Sequence, residues 1–373
     1  MKQRAWRMAA LGLLTLCLAS GCDGFFVYPG SSGGGSGSGG NYVYVANSTT
    51  QSLAGFVVGT GTLTAVTNSP YALGFAPTAV AINPANTILF VGGSGAIYAF
   101  SIGSDGQLTA LNSGFAVGLA TVASMDISPD GQWLFALDQN GITVDEFQIN
   151  STTGVLAQQN GSSYAGLSGT VIPRAVKVAP NGNYVFVALG TAGDLVFPLN
   201  TSTGALSTPL TLSLPSGTSD NALAVSSNSA YLYVARSGTP GGLAVFTIGS
   251  GGALNAISGS PFAAGSQPFS VVLNNAGTDV YVANQLDSNI SGYSIASNGT
   301  LTALSGSPYN NGSQPTVLAV DRTGTYLFTA SRSGTPDLSM YSFDSGTVGK
   351  LNFVISKTTG TNPTGPVAIA ATR

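Results

Sequence analysis

YVYVAN, Tyr42–Asn47, alternates aromatic and β-branched residues and ends on small and polar ones, the pattern of a strand. The same pattern returns as ILFVGG at 88, WLFALD at 133, YVFVAL at 184, YLYVAR at 231, DVYVAN at 279 and YLFTAS at 326. The starts are 46, 45, 51, 47, 48 and 47 residues apart, and each interval holds four strand-like segments divided by Gly, Asn and Ser turns. Seven copies at this period predict an all-β fold, a seven-bladed β-propeller with one four-stranded antiparallel sheet per blade. Composition agrees: 51 glycines in 373 residues, 43% hydrophobic and 7% charged, favour strands and turns over helices.

Before each marker strand except the first lies a smoother one: PTAVAIN at 77, VASMDIS at 122, PRAVKVA at 173, DNALAVS at 220, PFSVVLN at 268 and PTVLAVD at 315. A last smooth strand, PVAIAA at 366, has no marker after it, and Tyr42 has no smooth strand before it. Pairing the C-terminal strand with the N-terminal blade satisfies both and closes the ring without an open edge.

The N-terminus is read separately. Lys2, Arg4 and Arg7 precede an apolar run from Met8 to Leu18, which is too short to span a bilayer and has the layout of a secretory signal. LASGC, ending at Cys22, resembles the lipobox of bacterial lipoproteins, although Ala19 stands where that pattern usually has Leu. The expected organisation is a lipoprotein signal peptide at 1–21, a lipidated Cys22 with a Gly/Ser-rich tether at 22–40, and the propeller at 41–373. The expected address is exported, anchored to a membrane through the lipid on the periplasmic or outer side. A mature chain starting at Cys22 has no second thiol for a disulfide, since the other cysteine, Cys17, lies inside the signal. Residues 29–40, a flexible Gly/Ser tract, reach on the order of 20 Å.

The period, the YVAN-type strands, the PDG and PNG turns at 129–131 and 180–182, and stretches such as GSPFAAGSQP (259–268) and GSPYNNGSQP (306–315) resemble the seven-bladed lactonase family typified by 6-phosphogluconolactonase. They are also similar to YVTN-repeat surface propellers. The resemblance runs over 41–373 and implies the fold and, by the family name, lactone hydrolysis. The turns and the GSP[FY] stretches have structural uses of their own. Pro and Gly set the turn geometry, and an aromatic recurs at Tyr71, Phe115, Tyr164, Phe262 and Tyr309 as an anchor for the outer strand.

Chemistry is therefore sought where the repeat breaks. The chain has no His, which excludes a Ser-His-Asp arrangement, His general acid–base catalysis and His metal ligands; no metal or cofactor is expected. The family's polar channel cluster includes His, so no catalytic residue carries over. In a propeller the loops before the smooth strand and after the marker strand share one face. Asp138, Arg236 and Arg332 fall there after marker strands, and Arg174 and Asp220 at the starts of smooth strands. Brought together, they would clamp a carboxylate or sugar phosphate. Asp126 and Lys177 occupy the register held by Ala81, Ala224, Val272, Ala319 and Ala370 in other blades and are expected to pair. Glu146 replaces Gly55, Ala99, Val196, Val245, Gly292 and Met340, either as a buried acid or, the preferred reading, as an edge charge against aggregation. Trp133 lies in a marker strand and reads as core.

The net charge of −3 becomes −6 once a signal peptide carrying Lys2, Arg4 and Arg7 is removed, and such a surface offers nothing to nucleic-acid phosphates. The expected partners are a small neutral or anionic ligand or a protein, met by a monomer. Two functions stand: a ligand- or partner-binding module working through its loop face, and a lactone hydrolase using Arg and Asp at the channel mouth. The missing His and the scarcity of acids favour the first.

Overall fold

The computed structural model describes residues 40–139, 143–163, 167, 169–360 and 366–372. Cys22, the signal segment, the tether up to residue 39 and Tyr164 lie outside the described residues. The strands form seven four-stranded blades, each running inner, marker, third and outer. Blade 2 runs through Ala79–Ile82, Ile88–Gly92, Ile97–Ile102 and Leu108–Ala110, and blade 3 through Val122–Ile127, Trp133–Asp138, Thr143–Ile149 and Leu156–Ser163. Blade 4 follows with Val171–Val178, Tyr184–Gly190, Asp194–Pro198 and Leu210–Leu212, then blade 5 with Thr218–Val225, Tyr231–Gly238, Gly242–Ile248 and Leu254–Ala256. Blade 6 is Pro268–Leu273, Asp279–Asn284, Asn289–Ile295 and Leu301–Ala303; blade 7 is Pro315–Val320, Tyr326–Ser331, Leu338–Phe343 and Leu351–Lys357.

Blade 1 is stitched from both ends of the described chain. Tyr42–Asn47 pairs with Ser52–Gly59 on one side and with Pro366–Ala371 on the other, in the register Val43 to Ala371 and Tyr44 to Ala370. The joint copies a turn used inside other blades. The residue ending the inner strand accepts backbone N–H groups at the start of the marker strand: Asn83 Oδ1 from Ile88, Ser226 Oγ from Tyr231 and Asp321 Oδ1 from Tyr326. In blade 1 Thr372 Oγ1 accepts from Tyr42 N at 2.9 Å, 330 residues away. A contact made locally elsewhere thus closes the ring.

The core lies between blades. Seven apolar clusters fill the seven interfaces among the described residues, including that between blades 7 and 1, where Val43, Val45 and Phe56 meet Phe328 and Met340. Each fully buried Phe or Leu contributes roughly 1.5–3 kcal/mol. Aromatic residues of the marker strand also reach the next blade with their polar tips. Trp133 Nε1 donates to Thr201 O, Tyr44 Oη to Gly106 O, and Tyr231 Oη to Ser297 O. Gly204, with φ +71°, is required there because a Cβ would lie 2.2 Å from the Trp133 ring. Trp133 is accordingly core, at 3% exposure.

The GSP[FY] stretches are scaffold. Ser69, Ser260 and Ser307 accept the third-strand N–H groups of Gly55, Val245 and Gly292 at 2.8–2.9 Å. These bonds satisfy donors that the short outer strand leaves unpaired.

Candidate functional site: the mouth of the central channel

The inner strands surround a channel of about 630 Å³. Its walls are mostly small or aliphatic, as expected where seven strands converge, and Asp126, Arg174 and Lys177 are its charged lining residues. The mouth lies where the inner strands begin, and the seven equivalent positions there are Thr78, Ala123, Arg174, Asn221, Phe269, Thr316 and Val367. Arg174 of blade 4 extends past blade 5 and lies over the ring of Phe269 in blade 6, 5.6 Å from the centroid. Between them Asn221 is fixed by donating Nδ2 to Pro268 O at 2.8 Å. Arg174 Nε is buried and has no hydrogen-bond partner among the described residues. Burial holds the guanidinium below its ordinary pKa, with no acid opposing the shift. The mouth thus carries a half-buried cation braced on an aromatic face and lacking an acceptor.

Deeper in the channel, Lys177 Nζ stands 3.7 Å from Asp126 Oδ2, which also accepts the Val178 N–H at 3.0 Å. Blades 3 and 4 are thereby joined through their inner strands.

The five residues expected to gather at the mouth do not form one cluster. Arg236 and Asp220 make a bidentate pair, Nε to Oδ1 at 2.6 Å and Nη2 to Oδ2 at 2.7 Å, with Asp220 fully buried and Arg236 5% exposed. Asp138 accepts the Thr121 hydroxyl, and Arg332 is exposed. Only Arg174 of the five lines the channel. The register that places these residues on one face says nothing about how far inward each side chain reaches, and that reach separates them.

Glu146 is not the edge charge that its register suggested. It is fully buried, accepts from Ser162 Oγ, and burial raises its pKa with Ser162 opposing. The outer strand Leu156–Ser163 runs unusually long in this blade and covers it, which the sequence period did not foretell. Asp145 beside it is also raised, by burial and then by Asp138 and Glu146.

Sequence reasoning missed Asp194. Two positions before the Glu146 column, six blades carry Leu53, Ile97, Val144, Leu243, Ile290 and Leu338, all fully buried, whereas blade 4 carries Asp194. The column comparison that singled out Glu146 would have found it.

A second hollow of about 790 Å³ lies on blade 1 beside Thr358–Gly360. Its lining is neutral, with Ser52, Ser69 and Thr359 among small apolar residues, so it offers no charge to a ligand.

Ring closure, blade count and channel define a seven-bladed β-propeller. Within that class the chain is similar to the lactonase propellers: residues 237–369 match the family model described as "Lactonase, 7-bladed beta-propeller". Among solved structures, a putative 6-phosphogluconolactonase from Bacteroides fragilis is 18% identical, with TM-score 0.71 over 90% of this chain and 98% of that one. Another from Bacteroides uniformis is 16% identical, with TM-score 0.73 over 89% and 99%. A periplasmic gluconolactonase from Pseudomonas aeruginosa is 18% identical, with TM-score 0.65 over 89% and 99%. At these identities the likeness shows the fold. No curated protein matches the chain. The matched segment runs from the end of the blade 5 marker strand to the closing strand, and Asp126, Arg174 and Lys177 all precede it.

Proposed function

We propose that the chain is an exported, lipid-anchored propeller that captures a small organic anion of the sugar-acid class at the mouth of its channel. Arg174 carries this reading: a half-buried guanidinium with an unbonded Nε is completed by a carboxylate, which supplies both the missing acceptor and the missing counter-charge. Phe269 fixes one face of the guanidinium, so the ligand meets a pre-set donor edge. The lactonase match and the periplasmic gluconolactonase neighbour support a sugar acid or its lactone and an extracytoplasmic address.

The topology fits an anchor. Marker strands start on the face opposite the mouth, and Tyr42 begins the first, so a tether ending at Gly40 leaves the mouth directed away from the membrane. Cys22 would hold the lipid.

The family match also favours a second reading, lactone opening. Arg174 or Lys177 would stabilise the charge that develops on the carbonyl oxygen, and Asp126 would take a proton from the attacking water and return it to the departing ring oxygen as the ring C–O bond breaks. Glucono-δ-lactone and 6-phosphogluconolactone assays separate the two. Under the capture reading the full chain opens neither lactone faster than buffer does. Turnover that falls in an Arg174→Gln variant would replace capture with hydrolysis.

A further inference from the structure

Three departures from the repeat, on three different strands, meet at the seam between blades 4 and 5. Asp194 begins the third strand of blade 4 in a column that is otherwise Leu, Ile or Val. Asp220 stands in an inner-strand column that elsewhere holds Pro77, Val122, Pro173, Pro268, Pro315 and Pro366. Arg236 is the sixth residue of the marker strand of blade 5, in a column where other blades have Asn47, Gly93, Asp138, Leu189, Asn284 and Ser331. All three are buried, at 1%, 0% and 5% exposure. Asp220 also pairs with Gly190, and this bridge merges blades 4 and 5 into one eight-stranded sheet while each of the other five blades remains a separate sheet.

The hydrogen bonding of Asp194 is decisive. Neither of its carboxyl oxygens meets a donor among the described residues, and the carboxyl that faces it across the seam is that of Asp220. A carboxylate only accepts, and both oxygens of Asp220 already hold Arg236. The Asp194–Asp220 contact closes only if one of the two carries a proton. Both oxygens of Asp220 are engaged by Arg236 while neither oxygen of Asp194 is, which puts the proton on Asp194.

We infer that Asp194, Asp220 and Arg236 form a proton-operated latch between blades 4 and 5: protonated Asp194 donates to Asp220 and the seam is shut, and loss of that proton sets two carboxylates against one guanidinium and loosens it. The groups facing Asp194 are Asp220 on the inner strand and Arg236 on the marker strand of blade 5. Burial raises the Asp194 carboxyl well above its usual range, the neighbouring Asp220 raises it further, and Arg236 opposes the shift. The folded chain therefore keeps a proton that the unfolded chain releases above about pH 3.9. This contribution to stability is complete below that value and is lost as pH rises through the native pKa, by up to about tenfold in the folding equilibrium constant per pH unit in between.

The test is urea unfolding of the full chain from pH 5 to pH 9 beside Asp194→Asn, whose amide makes the same donation without titrating, and Asp194→Leu, which restores the side-chain type of the other blades. The folding constant of the wild type relative to either variant should fall as pH rises. Hydrogen exchange in the segments 186–195 and 218–224 should become faster in wild type relative to Asp194→Asn as pH rises from 5 to 9. If Asp194→Asn does not fold, Asp194→Leu alone carries the comparison. Parallel pH profiles for wild type and variants would overturn the latch, as would an exchange difference that is the same at both pH values.

Discussion

Blades 6 and 7 and blades 3 and 4 share one architecture and treat buried polar groups differently. In blades 6 and 7 the acids sit among neutral donors. Asp321 caps the turn before Tyr326, Asp337 accepts the Thr359 N–H and hydroxyl, and Asp279 accepts from Asn274 and Thr278. In blades 3 and 4 polar groups meet charged or unbonded ones instead: Asp126 pairs with Lys177, Asp194 faces Asp220, and Glu146 Oε2 and Arg174 Nε have no partner among the described residues. The family match covers blades 6 and 7 and leaves blades 3 and 4 outside. A repeat can satisfy its polar groups with Ser, Asn and turn-capping Asp and no net work from charge. Where it places buried charge instead, the repeat is broken, and breaks of this kind mark functional or strained sites.

The largest effect that breaks this contrast is expected at Arg236. Arg236→Met strands two buried acids at once and should lower stability by about 3–5 kcal/mol, read by urea denaturation at pH 7. In the regular half, Asp321→Ala removes the acceptor of the Thr325 and Tyr326 N–H groups and should cost about 1–3 kcal/mol, read by the same denaturation. Glu146→Gln sharpens the contrast by sign. Because burial raises the Glu146 carboxyl, its stabilising proton is lost as pH rises, so the variant should gain on the wild type in unfolding titrations as pH climbs from about 4. The smallest effect belongs to Lys177, whose side chain is 37% exposed. Lys177→Ala should lose about 0–1 kcal/mol, and more than the Asp126→Ala, Lys177→Ala double variant does; additive losses would deny the coupling.

Most of the fold was legible from one strand pattern. The marker spacing and the unmatched ends at Tyr42 and Pro366 led to the closure observed between Val43 and Ala371. Inter-strand register is set by period-two alternation, which a sequence displays directly. The site was less legible for two reasons. Side-chain reach is not periodic: Arg174 meets a ring two blades away, while Arg332, on the same face, turns outward into solvent. Burial of a charge also depends on the neighbouring blade and on outer-strand length, which hid Glu146. Asp194 was visible as a break in a column of Leu, Ile and Val, but its meaning required Asp220 and Arg236, from the next blade, to be placed against it.

The proposed capture site rests on the break in the repeat at Arg174 rather than on charge on the loop face in general. Calorimetric titration of the full chain with gluconate at pH 7 tests it, comparing wild type with Arg174→Gln and, as a control on the same face, Arg332→Gln. Losing a charged hydrogen bond of roughly 1.5–3 kcal/mol weakens binding by about tenfold or more, so Arg174→Gln should lose that much while Arg332→Gln binds as wild type does. Equal affinity in all three, or equal losses in both variants, would contradict the claim.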